Sequence, residues 1–257
     1  MNHWPDDDAP CFKQFWRAGE LNPTRALLMH EHIEEDAAQT YEPPRLRLPT
    51  TARGLPTPNA IVMDAWHARR SIRTFSSRTL ELQALSGLLW PHSRRPDGGR
   101  HLASGGGKYP LQIHVAGWRL SHDGQALEPT VSWYDPQCHG LTAVRPSPDW
   151  AAMSLVLGMS MNTPAAVLVV TAQAGPHTHK YGERGGRFLL LEAGSYLGVW
   201  QAETARLGLG GVVIGSYQDR ALLRLLGPHV SGADRAPDAP GDEHLVVAVY
   251  ALGWPDS

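Results

Sequence analysis

Two short stretches bring together side chains that can do chemistry. The first is Lys180-Tyr181-Gly182-Glu183-Arg184, five polar or flexible residues at the mouth of a long apolar segment. A lysine acts as a general base where burial or cationic neighbours favour its neutral form. His179 and Arg184 stand on either side of this one, against Glu183, and Tyr181 is placed to share or relay the proton. The same residues also suit an exposed pair at a helix start, with Glu183 favouring the positive end of the helix dipole. The second stretch is Arg69-Arg70-Ser71-Ile72-Arg73, three arginines and a serine in five positions. Guanidinium forks and a hydroxyl suit a phosphate. A solvated basic helix end is the other reading.

Four further motifs bear on the chemistry. Ser104-Gly105-Gly106-Gly107-Lys108-Tyr109-Pro110 offers consecutive glycines, whose backbone N–H groups can approach a ligand closely, although a glycine run also serves as a plain flexible loop. The run Gly208 to Tyr217 imitates a dinucleotide fingerprint, but the third glycine position holds Val213 and the run follows a helix. His30-Glu31-His32-Ile33-Glu34 misses the HExxH spacing because Glu34 stands where a histidine is needed. His177 and His179 form an HxH pair with no third ligand nearby and read as part of a polar loop. Cys11 and Cys138 are isolated, so no metal site is expected.

These groups need elements to hold them. Residues 183–207 read as a helix apolar around most of its circumference, which predicts burial at the centre of the fold or in a subunit interface. Ala165 to Ala172 is a continuous apolar run and reads as a central strand buried on both faces. Leu111–Leu120, Val131–Asp135 and His244–Leu252 read as further strands, and 79–90, 149–161 and 218–226 as helices. A loop over 173–179 would deliver Lys180 and Tyr181. Residues 1–58 read as an N-terminal arm anchored by Phe12, Phe15 and Trp16, with a helix over 21–40 capped by Asn22 or Thr24 and a proline-rich connector over 42–58. Residues 59–257 form the main domain.

A chain of 257 residues with 42% apolar content supports a sizeable core. A formal charge of -2 argues against a nucleic-acid surface. No apolar run approaches the ~20 residues of a membrane span, and the acidic start MNHWPDDDAP lacks a signal pattern, so a cytoplasmic protein without a membrane partner is expected.

In order along the chain, Arg69-Arg70-Ser71-Ile72-Arg73, Ser104-Gly105-Gly106-Gly107-Lys108-Tyr109-Pro110-Leu111, Lys180-Tyr181-Gly182-Glu183-Arg184 and the glycine-rich run to Gly215 together resemble the nitroreductase-type FMN superfamily. Within it they are most similar to the SagB-type branch, the thiazoline/oxazoline dehydrogenases of ribosomal peptide-modifying clusters. The resemblance covers roughly 60 to 257. It implies an α+β nitroreductase-like fold, a central mostly antiparallel sheet flanked by helices, a long buried central helix, and a homodimer with FMN at its interface. It further implies that Arg69, Arg70, Ser71 and Arg73 hold the phosphate and ribityl chain. Ser104, Gly105 and Gly106 would contact the cofactor from the other subunit, and the backbone of Val213, Ile214 and Gly215 would lie near the flavin ring. Lys180 and Tyr181 would be catalytic. The tail Ala251-Leu252-Gly253-Trp254-Pro255-Asp256-Ser257 lacks the basic phosphate ligand of many nitroreductases, which leaves the first arginine cluster or a donor such as Arg187 or Arg220. The implied activity is FMN-dependent oxidation of azolines to azoles beside a cyclodehydratase and a precursor peptide. A general NAD(P)H-dependent nitro- or quinone reductase and a flavin-free scaffold subunit stand beside it.

Overall fold

One strand decides the layering. Along Ala166–Gln173 every residue but the last is buried. Leu168, Val170 and Ala172 pack into one apolar cluster, Val167 and Val169 into another. Successive side chains of a strand point to opposite faces, so this one needs a cover on both. The computed structural model, which describes residues 9–28, 66–227 and 244–256, supplies both covers.

In chain order the elements are α1 (Pro10–Gly19), β1 (Leu80–Glu81), α2 (Leu82–Leu89), β2 (Leu111–Gly117), β3 (Leu120–His122), β4 (Gln125–Ala126), β5 (Thr130–Asp135), β6 (Gly140–Pro146), α3 (Trp150–Leu157), β7 (Ala166–Gln173), α4 (Gly175–Tyr181), α5 (Glu183–Arg206), β8 (Gly210–Ile214), α6 (Asp219–Leu226) and β9 (His244–Gly253), with 3-10 turns at Trp90–His92 and Gly105–Gly107. Six strands form one antiparallel sheet in the order β6-β5-β2-β7-β9-β8. On one face Phe12 of α1, Leu85 and Leu88 of α2, and Leu189, Tyr196 and Trp200 of α5 close the first cluster. On the other, Met153 and Leu157 of α3 and Leu222 and Leu226 of α6 close the second. The architecture is the α+β one expected of it, a large antiparallel sheet with helices on both sides.

Local differences from the sequence reading have physical causes. The segment 79–90 starts as strand β1, because Leu80 and Glu81 pair in parallel with Leu120 and Ser121 in a second, three-stranded sheet. The stretch Leu111–Leu120 breaks after Gly117, where Trp118 and Arg119 both donate to the carbonyl of Ala165 and turn the chain into that second sheet. Strand β6 carries no strand signal of its own, because it is a largely exposed edge strand without apolar alternation. The helix expected over 149–161 ends at Leu157, and residues 173–179 lie mostly in helix α4 rather than a loop. Helix α5 is not buried all round within one chain, since Leu190 is 41% and Leu191 69% exposed.

In the N-terminal arm, α1 is helical and Asn22 caps the helical residues 23–28 by accepting from the Arg25 N–H at 3.0 Å. The rest of the helix expected over 21–40, the 42–58 connector and the boundary at 58 lie outside the described residues. Among the described residues no helix is long and apolar enough to cross a membrane.

Candidate functional site

Lys180 and Tyr181 occupy the last turn of α4. Gly182 follows with φ 53° and ψ −138°, a backbone shape that glycine adopts without a Cβ penalty, and α5 starts at once. The two helices pack backbone to backbone: a Cβ on Gly185 would lie 2.6 Å from the carbonyl oxygen of His177. This corner leaves Lys180 exposed and Tyr181 half-buried, edge-on to Phe188 at 4.9 Å. The Lys180 Nζ sits 5.2 Å from the centre of the Tyr181 ring. Against this pair packs the glycine loop. Gly106 has φ 62°, and a Cβ there would run into Tyr181 Oη and lie 2.7 Å from Lys180 Nζ. Two motifs far apart in sequence are thus in contact.

The loop is held from beneath by Glu192 of α5. Its Oε1 accepts from the Gly105 N–H at 2.7 Å and from Ser104 Oγ at 3.0 Å. Ser104 Oγ in turn accepts from the Tyr109 N–H at 2.8 Å. His177 Nε2 lies 3.0 Å from the same Glu192 oxygen, and both side chains are buried. The His177 ring nitrogens make no well-aligned hydrogen bond. A buried carboxylate is costly unless donors surround it, and N–H donors to a charged oxygen are among the stronger hydrogen bonds. The sequence reading missed Glu192 and put His177 in a polar loop. His177 is instead fully buried. The available signal was Glu192 itself, a lone acid inside the apolar run Phe188-Leu189-Leu190-Leu191-Glu192-Ala193.

The arginine cluster lies along β8. Ser71 bridges Gly211 in parallel, and the Ile72 N–H donates to the Gly211 carbonyl at 3.1 Å. Arg70 Nη1 donates to the carbonyls of His67 at 2.6 Å and Arg69 at 2.9 Å. Arg70, Ser71 and Arg73 are exposed, Arg69 half-buried. The next residues pair with the C-terminal tail: Ser76 N–H donates to Trp254 and Asp256 N–H to Thr74, while the Arg78 guanidinium stacks 3.5 Å over the Trp254 ring. The tail without a basic residue therefore lies beside Arg73. Of the other donors considered for it, Arg220 is ion-paired with Glu20 at 3.2 Å. Val213 and Gly215 are exposed, whereas the Ile214 side chain is in the core and leaves only its backbone available.

One chain does not bring the two groups together. The Lys180 corner packs on Gly185, near the start of α5. Near its end, Thr204 accepts from the Tyr250 hydroxyl at 3.2 Å, and a Cβ on Gly211 would run into that hydroxyl. Burial raises the Tyr250 pKa, with Thr204 and Arg69 opposing it. A rise of ~1.5 Å per residue puts Gly185 and Thr204 about 28 Å apart along the helix. Between them α5 presents an open face, with Leu190 and Leu191 exposed and free space above Gly194 and Gly198.

Residues 67–249 match the model of the nitroreductase family. A protein of Methanocaldococcus jannaschii named as a nitroreductase is 29% identical over 162 residues, 62% of this chain and 80% of its own length. Among solved structures, one named as a nitroreductase from Ralstonia eutropha has a TM-score of 0.56 at 22% identity, over 85% of this chain and 100% of that one. A chain of the Escherichia coli microcin synthetase McbBCD complex, with truncated pro-MccB17 bound, has a TM-score of 0.61 at 19% identity, over 93% and 96%. At such identities the structural likeness is one of fold, and it agrees with the sheet and helices described above. The family match spans most of the chain, from the arginine cluster through β8 and into β9, and on that extent the chain belongs to the nitroreductase family.

Proposed function

We propose that this oxidoreductase is an FMN-dependent dehydrogenase that oxidises azoline rings to azoles in a ribosomally made peptide, working as a homodimer in the cytoplasm beside a cyclodehydratase. The observation that carries this reading is the seating of Lys180 Nζ and Tyr181 Oη on Gly106, in a loop fixed by the buried Glu192. A general reductase of small acceptors needs no such pair.

The residues present fit the cofactor. Exposed guanidiniums of Arg70 and Arg73, with Arg69 and the Ser71 hydroxyl, suit a phosphate and a polyol chain. The backbone of Val213 to Gly215 and the Ser104–Gly106 loop suit the edges of a flat ring system. When bound, FMN supplies the hydride acceptor that azoline oxidation requires. Lys180 takes the proton from the ring Cα, Tyr181 orients the amine and relays the proton, and the ring loses one proton and one hydride in all. The open face of α5 supports a dimer in which a second copy brings its Ser104–Gly106 loop and Lys180–Tyr181 pair to the first copy's Arg69–Arg73. The fold likeness to a chain of the McbBCD complex is compatible with this reading.

The test is incubation of the purified holoprotein with an azoline-containing peptide. Azole formation, read as a loss of two hydrogens by mass spectrometry, is expected. Turnover of nitroaromatics or quinones with NAD(P)H but not of azolines would point to a general reductase. A colourless protein that takes up no FMN would sink both enzyme readings.

A further inference from the structure

Helix α1 lies outside the family match, yet it is tied both to the Lys180–Tyr181 corner and to the β8 loop of its own chain, groups that the proposed dimer would place in its two separate sites. At its start no side chain of Ala9 caps it. The carboxylate of Glu183 does so instead, accepting from the Cys11 N–H at 2.8 Å and the Phe12 N–H at 2.7 Å. The Phe12 ring fills the hollow over Gly186, where any Cβ would overlap it. At its far end the Leu21 N–H donates to Asp219 Oδ2 at 3.1 Å, and Glu20 pairs with Arg220. Glu183 follows Tyr181 closely in the chain, and Asp219 follows Gly215. Helix α1 is therefore strung between the Lys180–Tyr181 corner and the loop that leaves β8.

A cavity of about 200 Å³ lies against it, with Phe15, Trp16, Leu190, Gly215, Glu20 and Asp219 among the residues that line it. Those two carboxylates have partners within the fold, Arg220 and the Leu21 N–H. The rest of the lining is mostly apolar, with Phe15, Trp16 and Leu190 as its large side chains. Phe15 is 62% exposed, and it is Phe12, not Phe15, that anchors the helix. A pocket of this size is below the ~300–1,000 Å³ that takes a drug-sized ligand, and suits a single ring with its flanking atoms.

We propose that this cavity is the subsite for the ring-bearing part of the peptide substrate, with Phe15 and Trp16 as its specificity-determining walls. The assignment rests on the function proposed above, because Gly215 is both a wall of the cavity and a residue assigned to the flavin ring. A flat, weakly polar five-membered heterocycle suits a wall that carries two aromatic side chains. The anchor at the far end of the helix, Leu21 N–H on Asp219, holds the pocket beside Gly215.

The test compares wild-type holoenzyme with Phe15→Ala and Trp16→Ala, using one azoline peptide as substrate and its azole product as ligand. Each variant is expected to keep its FMN and its kcat while KM rises about ten-fold. An unchanged KM in both variants would overturn the subsite while leaving the azoline oxidase reading intact. If the wild type does not oxidise the peptide, that reading fails, and the subsite is judged by titrating the azole peptide against the flavin absorbance. Binding that weakens in Phe15→Ala and Trp16→Ala supports it. Equal binding in all three proteins, or none in the wild type, refutes it. Helix content by circular dichroism, with α1 protection by hydrogen exchange, separates a lost wall from a lost helix.

Discussion

The two ends of α5 are built for opposite tasks. At its start, Lys180 and Tyr181 stand on a corner locked by backbone packing, and the glycine loop against them is fixed through a buried carboxylate. At its end, Arg70, Ser71 and Arg73 lie exposed along the edge of β8, and the described hydrogen bonds of Arg70 run to carbonyls close by in the chain. A group that must meet a reacting atom gains from rigid placement before the substrate arrives. A group that must receive an anion gains from access, and its order comes from the anion. The contrast predicts that changes at the first end abolish chemistry and spare the cofactor, whereas changes at the second lose the cofactor.

The sharpest break comes from Gly106→Val. The side chain would collide with Tyr181 and Lys180, and the left-handed backbone alone costs about 1–3 kcal/mol. Azole formation should vanish while FMN absorbance persists after gel filtration. Lys180→Ala and Tyr181→Phe should follow, each lowering azole formation by about 10²–10⁴-fold with flavin still bound. Full activity in both would remove the catalytic assignment.

At the other end, Arg70→Ala and Arg73→Ala should each weaken FMN binding by about 10–100-fold, the worth of one hydrogen bond to a charged group. Retained stoichiometric flavin in both would dissolve the contrast. A smaller effect separates support from chemistry at the first end. Glu192→Ala leaves the Gly105 N–H and Ser104 hydroxyl without their acceptor and should cost about 1–3 kcal/mol in denaturant unfolding, whereas Glu192→Gln keeps an oxygen there and should cost less.

The smallest effect tests the anchor of α1. Burial raises the Asp219 carboxyl to about 6 from its ordinary 3.8, against the Leu21 N–H that opposes the shift. The folded protein then binds that proton more tightly than the unfolded chain. The contribution to stability is fully present below about 4 and is lost as pH rises through about 6. Melting temperature followed from pH 4 to 7 should therefore decline less steeply in Asp219→Asn than in the wild type. Parallel curves would mean that Asp219 does not titrate in this window.

Much of this was legible along the chain. The apolar run of β7 and the cap at Asn22 are local patterns, and they correspond to the elements found. Strands β1 and β6 were not legible, because what makes them strands is a partner strand rather than their own composition. Helix α5 was legible as a helix apolar around most of its circumference, which pointed to the centre of the fold or to a subunit interface; the structure covers part of it and leaves Leu190 and Leu191 on an open face.

The sequence by itself determined which residue types are present to do chemistry and which segments must be buried, because periodicity and side-chain polarity are properties of a line. Only the tertiary structure decided who meets whom. It set Gly106 against Lys180 and Tyr181, Glu192 beneath Ser104, and Glu183 at the head of α1. It also parted the arginine cluster from the Lys–Tyr pair by most of a helix length. Each of these is a contact or a separation fixed by sheet order and helix packing, and no spacing along the chain encodes it.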